Sequence, residues 1–299
     1  MSGRVALLAG LMVVLAVGGV GCRKAADPFA APVMRVVGER ADRLPSYAEL
    51  AEKYNATLDR IEPVYAQTIV KVAWVERGDD GKERVRRENG EGKLVVDGPE
   101  RTLLTIEKVG KIFAWAGSNA ERFWLFDLSD RPRALVGERT IEVGDLQPSG
   151  RRLPMGLDPA GLPYLLGLAR LDAEAGGTVE RTRRGYAIRP AGLSIKMELD
   201  GQTGRPLLVE VLDTADRRVA VGQMRWDVTT PVERPGVRRT TWPEMWTYAT
   251  VWAVEEQAVL ELKATEAISD AAELREVWFD FDGLTRALGV APGDVEELR

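Results

Sequence analysis

The sequence predicts a mainly β fold, with an antiparallel sheet forming the body and an amphipathic helix at its N-terminal side. Two observations carry this. Apolar residues switch from helical spacing to a period of two at Val64 and keep that period over most of the remaining chain. The segments so marked are short and separated by a few turn-forming residues, which suits hairpins rather than parallel crossovers. With 45% apolar and 29% charged residues over 299 positions, the chain has the composition to bury a core.

Taken in order, the first element is announced by Ser46 and Glu49, an S-x-x-E capping box preceded by Pro45. Tyr47, Leu50, Tyr54, Leu58 and Ile61 then fall three or four residues apart, while Glu49, Glu52, Lys53 and Asp59 lie off that stripe. The helix is expected to end by Pro63. Val64, Ala66, Thr68, Val70, Val72 and Trp74 form one face of a long strand running to the turn at Gly78-Asp79-Asp80-Gly81. Further strands are expected at 91–97, 101–108, 111–116 and 122–127. Residues 150–170 break the alternation with prolines and glycines around Leu162–Leu168, which reads as a short helix or a lid-like connection. Hairpins resume at 178–184, 186–190, 193–199, 206–212 and 217–225. A proline-interrupted stretch at 231–243 precedes strands near 245–254 and 257–265 and a short helix at 270–276. No internal repeat or linker divides 46–299, so one domain is expected there.

Composition excludes several kinds of chemistry. There is no histidine, and Cys22 is the only cysteine, so Ser-His-Asp triads, histidine-ligated metals and intrachain disulfides are ruled out. No P-loop, G-x-S-x-G or G-x-G-x-x-G occurs, and no cofactor is expected. The carboxylates are abundant but stand in no catalytic context, so the chain does not read as an enzyme. A net charge of −5 argues against nucleic acid as a partner. Asp280-Phe281-Asp282-Gly283 lacks the further oxygen ligands of a calcium loop and reads as turn acids. The basic groups Arg181, Arg183, Arg184 and Arg151, Arg152 read as charged hairpin ends rather than headgroup sites.

The N-terminal residues carry an export pattern: Arg4, an apolar run from Val5 to Val17, then small residues up to Cys22. Val20-Gly21-Cys22 resembles the lipobox of bacterial lipoproteins, although Gly19 stands where that pattern usually has leucine. The resemblance implies a signal peptide over 1–21 and acylation of Cys22 with palmitate-type chains, two or more of which hold a protein to a membrane. Arg23 follows the cysteine where aspartate would favour inner-membrane retention in some bacteria, so the resemblance leans towards an outer-membrane anchor facing the periplasm. Residues 22–45, rich in Ala, Pro and charge, read as a tether of about 25–30 Å r.m.s. extension.

Two stretches, GSNAERFWLFDL at 117–128 and MELDGQTGRPLLVEVLD at 197–213, carry a further likeness. Ser118-Asn119 with Trp124, and Asp200, Thr203, Gly204 and Pro206 in the later hairpin, together with the preceding helix and long strand, resemble the LolA/LolB-like lipoprotein-carrier superfamily. That resemblance implies an incompletely closed antiparallel barrel with helices over its mouth, enclosing an apolar cavity that receives acyl chains without chemistry. Candidate lining residues are Val72, Trp74, Phe113, Trp115, Trp124, Phe126, Ile195, Met197 and Leu199, with Phe123 and Trp246 among the further large side chains on strands. Ordinary core packing explains any one of these aromatics as well. The expectation is therefore a monomeric, membrane-tethered envelope lipoprotein that binds a lipid or an acylated protein, with lipoprotein or lipid transfer as the process the resemblance implies. The alternative is an adaptor of the same fold with a packed interior and a protein partner.

Overall fold

In a computed structural model of the chain, residues 43–77, 82–98, 100–129, 131–139, 161–212, 215–233, 240–252, 256–270 and 274–297 are described. The signal segment, the tether up to residue 42, the Gly78-Asp79-Asp80-Gly81 turn, and Arg151 with Arg152 lie outside them.

Helix α1 spans Tyr47–Leu58. Its capping box is formed as the sequence suggests, with Ser46 Oγ accepting from the Glu49 amide at 3.2 Å and Glu49 Oε2 accepting from the Ser46 amide at 2.6 Å. Tyr47, Leu50, Ala51, Tyr54 and Leu58 are its buried side chains. Fourteen strands follow among the described residues: β1 (Val64–Arg77), β2 (Glu83–Asp97), β3 (Arg101–Lys108), β4 (Lys111–Ser118), β5 (Arg122–Asp127), β6 (Arg133–Glu138), β7 (Gly177–Arg181), β8 (Gly185–Pro190), β9 (Ile195–Asp200), β10 (Pro206–Leu212), β11 (Arg218–Glu233), β12 (Thr240–Trp252), β13 (Glu256–Ile268) and β14 (Val295–Glu297). A single turn of helix, α2 (Leu162–Leu165), precedes β7, and α3 (Phe281–Ala287) follows β13.

All fourteen strands join one sheet in the order β14-β6-β5-β4-β3-β2-β1-β13-β12-β11-β10-β9-β8-β7. Neighbours are antiparallel except β14 on β6, and β11 also makes a short parallel contact with β13 at Val232 and Ala267. Among the described residues the edges β14 and β7 do not pair, so the sheet is open.

The two faces are covered differently. The inner face carries α1 and α2, which pack with Val70, Val72, Leu104, Leu125, Ile195, Met197, Leu199 and Leu262 in one apolar cluster. The outer face of β2 to β6 is covered by α3 and the turn before it, where Phe279, Phe281 and Leu284 meet Val95, Leu103, Trp115, Trp124 and Phe126. Strands β3 to β5 are therefore apolar on both sides, with five consecutive buried residues from Thr102 to Ile106. In β9, by contrast, Ile195, Met197 and Leu199 are buried and Lys196, Glu198 and Asp200 are not.

Several boundaries differ from the sequence expectation. Strand β2 begins at Glu83 and β11 runs on through Pro231 to Glu233. Strands β6 and β14 have no counterpart among the expected elements. Of the helix expected at 270–276, residues 271–273 lie outside the described residues; Glu276–Phe279 forms one 3-10 turn, and an α-helix starts at Phe281. Asp280 sets that start by accepting from the Gly283 amide at 3.0 Å, so the Asp-Phe-Asp-Gly stretch is a helix cap.

Candidate functional site

The inner face is roofed by α1 and by the strap 161–171, which includes α2. The strap seats directly on β11 at Gly222, where a Cβ would lie 1.7 Å from the Leu165 carbonyl oxygen. Only glycine permits that approach. At the other side, polar groups stitch the strap to α1. Tyr54 donates its hydroxyl to the Ala169 carbonyl at 2.9 Å, and Asn55 both donates to the Leu171 carbonyl at 2.8 Å and accepts from its amide at 3.0 Å. Arg170 reaches Asp59 at 2.6 Å and Glu62 at 2.8 Å. Burial pushes the Glu62 carboxyl above its usual range, against the opposing pull of Arg170. Burial likewise holds the Tyr54 hydroxyl well above the usual phenol value, so it stays a neutral donor.

Between α1, the strap and the β9–β10 turn lies a cleft of about 380 Å³, within the range of small-ligand sites. Its floor is apolar: Leu58, Ile61, Leu166 and Leu168 belong to the same cluster as Met197 and Leu199, and Trp226 packs against it. Its rim is cationic, with Lys53, Arg60 and Arg205 and no carboxylate among the described lining residues. The Arg205 guanidinium lies 4.6 Å from the Trp226 ring centroid, and the indole donates to the Pro206 carbonyl at 2.6 Å. Lys53 Nζ donates to the Gly201 carbonyl at 2.9 Å.

The turn that presents Arg205 is built by Asp200, whose Oδ1 accepts from the Gln202 and Thr203 amides and from the Thr203 hydroxyl. Gly204 there has φ of +74°, and Pro206 opens β10. Sequence reasoning found this turn but missed the cleft. The available signal was Lys53 and Thr57, one helical turn apart beside the apolar stripe, with Arg60 just past the helix end.

The structure divides the expected lining residues. Val72, Ile195, Met197 and Leu199 are buried together on the inner face, and Phe113 packs half-buried against them. Phe113 points inward because it is the extra residue where β4 bulges between Ile112 and Ala114 against β3. Trp115, Trp124 and Phe126 belong to the outer cluster, not to the inner face. Trp124 is packed over Gly117, where a Cβ would meet the indole at 2.7 Å, and Phe281 stacks on Phe126 at 5.6 Å. Phe123 is buried with its ring over Gly137. The backbone of Trp74 pairs with Ala258 in β13 and that of Trp246 with Leu262, but their side chains lie outside the described residues. The basic group at the β7–β8 turn also has internal partners: Arg184 pairs with the largely buried Glu198, and Arg181 lies over Tyr186.

No family model and no curated protein matches this chain. Among solved structures it resembles proteins of the LolA superfamily and lipoprotein-sorting domains. One is a LolA superfamily protein from Nitrosomonas europaea, 12% identical, covering 80% of this chain and 99% of that one with a TM-score of 0.45. Another is a putative outer membrane lipoprotein-sorting protein domain from Vibrio parahaemolyticus, 12% identical, covering 81% and 97% with a TM-score of 0.46. A third is a DUF1329 family protein from Desulfovibrio piger, 14% identical, covering 80% and 97% with a TM-score of 0.44.

Proposed function

We propose that this chain is an envelope lipoprotein, tethered through acylated Cys22 and the 22–45 segment, that binds acyl chains against the inner face of its sheet. The observation that carries the reading is the roof. An apolar sheet face is covered by one helix and a short strap, with a cleft between them whose floor is continuous with the core.

The energetics suit exchange rather than permanent capture. Leu162, Leu165, Leu166 and Leu168 are almost completely buried, and lifting them into water costs about 6–12 kcal/mol. That is comparable to the whole stability of a typical domain, so the strap stays down in water. A sixteen-carbon chain contributes about 12 kcal/mol on burial. An acyl chain that enters through the cleft and takes the place of strap leucines beyond it offsets their displacement to within about 6 kcal/mol. Capture and release then need no chemistry. Val72, Phe113, Ile195, Met197 and Leu199 are the inner-face residues such a chain would meet.

The test is native mass spectrometry of the full chain purified from a bacterial host, followed by organic extraction. An acyl lipid at a fixed ratio to protein, lost in an Ala56→Trp variant that fills the cleft from an exposed helix position, is the expected result. A clean mass and no uptake of added lipid would instead favour a packed adaptor with a protein partner.

A further inference from the structure

We infer that the cleft selects an amphiphile with an anionic head, a phosphate or a carboxylate, held by Lys53, Arg60 and Arg205 while its chain enters over Leu58 and Leu168. The inference rests on the acyl-binding reading and narrows it to a charged lipid.

Charge points to such a head. The chain carries a net −5, yet this cleft gathers three cations and no acid among its described lining residues. The three come from separate elements: α1, the turn that follows it, and the β9–β10 turn. Their placement is built, because Arg205 is stacked on Trp226 and Lys53 is held by the Gly201 carbonyl. Of the acids nearby in sequence, Asp59 and Glu62 are held by Arg170 and Asp200 by its own turn.

Geometry points the same way. Cations form the rim and Leu58, Ile61, Leu166 and Leu168 the floor, which is the order of head and tail in an amphiphile. The guanidiniums supply planar donors suited to phosphate or carboxylate, and Lys53 adds a point charge. An uncharged acyl-glyceryl group, as on a lipoprotein, gains nothing from this rim.

The experiment measures binding to the full chain of dodecyl phosphate, dodecanoate, 1-dodecanol and inorganic phosphate at low ionic strength. Dodecyl phosphate and dodecanoate should bind at least about tenfold more tightly than dodecanol, and the advantage should shrink with salt. Arg60→Gln, at an exposed position, and Arg205→Gln should each lower the affinity of the two anions about 2–5-fold and that of dodecanol by clearly less. Arg205→Lys should keep part of the advantage. Equal binding of dodecanol and dodecyl phosphate, or equal losses for both in the variants, would overturn the anionic selection while leaving acyl binding intact. Failure of every alkyl probe would overturn both readings. Binding of inorganic phosphate as tightly as dodecyl phosphate would overturn the amphiphile and leave a plain anion site.

Discussion

Replacing Gly222 by alanine perturbs the roof at one atom. The added Cβ would sit 1.7 Å from the Leu165 carbonyl oxygen, 2.6 Å from its carbon and 2.9 Å from its Cα, where real Cβ atoms keep at least 3.0 Å. The obstacle is backbone, so no rotamer relieves it, and α2 must move off β11 by more than about 1 Å. Such overpacking costs about 1–3 kcal/mol, and the shift loosens the contacts of Leu162, Leu165 and Leu166 with the inner core. The variant should therefore lower the urea midpoint, speed amide exchange across 162–171 and take up dodecanol faster than the parent chain. Gly293→Ala is the control, because nothing lies within 4 Å of its added Cβ and its stability should stay within about 0.5 kcal/mol. Parental stability and exchange in Gly222→Ala would refute the claim that the strap is seated on β11.

Other perturbations separate the two faces and the ties. Trp124→Ala should destabilise by about 3–5 kcal/mol in urea, yet the folded fraction should bind dodecanol as before, because Trp124 sits in the outer cluster. Arg170→Met leaves the buried Glu62 without its cation and should cost about 1–3 kcal/mol, discounted for the partial exposure of the arginine. Glu62 has a folded-state pKa raised above 4.5 by burial, with Arg170, Asp59 and Asp97 as its charged neighbours. It binds its proton more tightly when folded, so its contribution is fully present below the unfolded pKa and is lost as pH rises through the raised value. Glu62→Gln should remove that slope in stability against pH, measured by urea unfolding at a series of pH values. Ser46→Ala should cost about 1 kcal/mol through the α1 cap.

Much of the sheet was legible because it obeys alternation. Strand β9, with Ile195, Met197 and Leu199 in and Lys196 and Glu198 out, is read correctly from its letters. Strands β3 and β5 match their expected ranges, but the side their residues face does not follow from a run such as Phe-Trp-Leu-Phe. A strand apolar on both faces says only that something covers each face, and the cover for Trp124 and Phe126 is α3, more than 150 residues later. That helix starts at Phe281 because Asp280 caps it where the letters suggest a plain turn. The inward placement of Phe113 depends on a bulge that no local motif marks. The cleft was hidden for another reason: Lys53, Arg60 and Arg205 are ordinary charges until the β9–β10 turn comes to rest on α1.

Binding of acyl chains against the inner face, beneath α1 and the strap, is tested most directly by photolabelling. A fatty acid carrying a photoreactive diazirine near its methyl end is bound to the full chain and irradiated, and the adducts are mapped by peptide mass spectrometry. Adducts are expected on peptides holding Leu58, Leu168 and Met197 or Leu199, competed away by dodecyl phosphate. Adducts confined to the outer cluster around Trp124 and Phe281, or a scatter that no competitor removes, would contradict binding at the inner face.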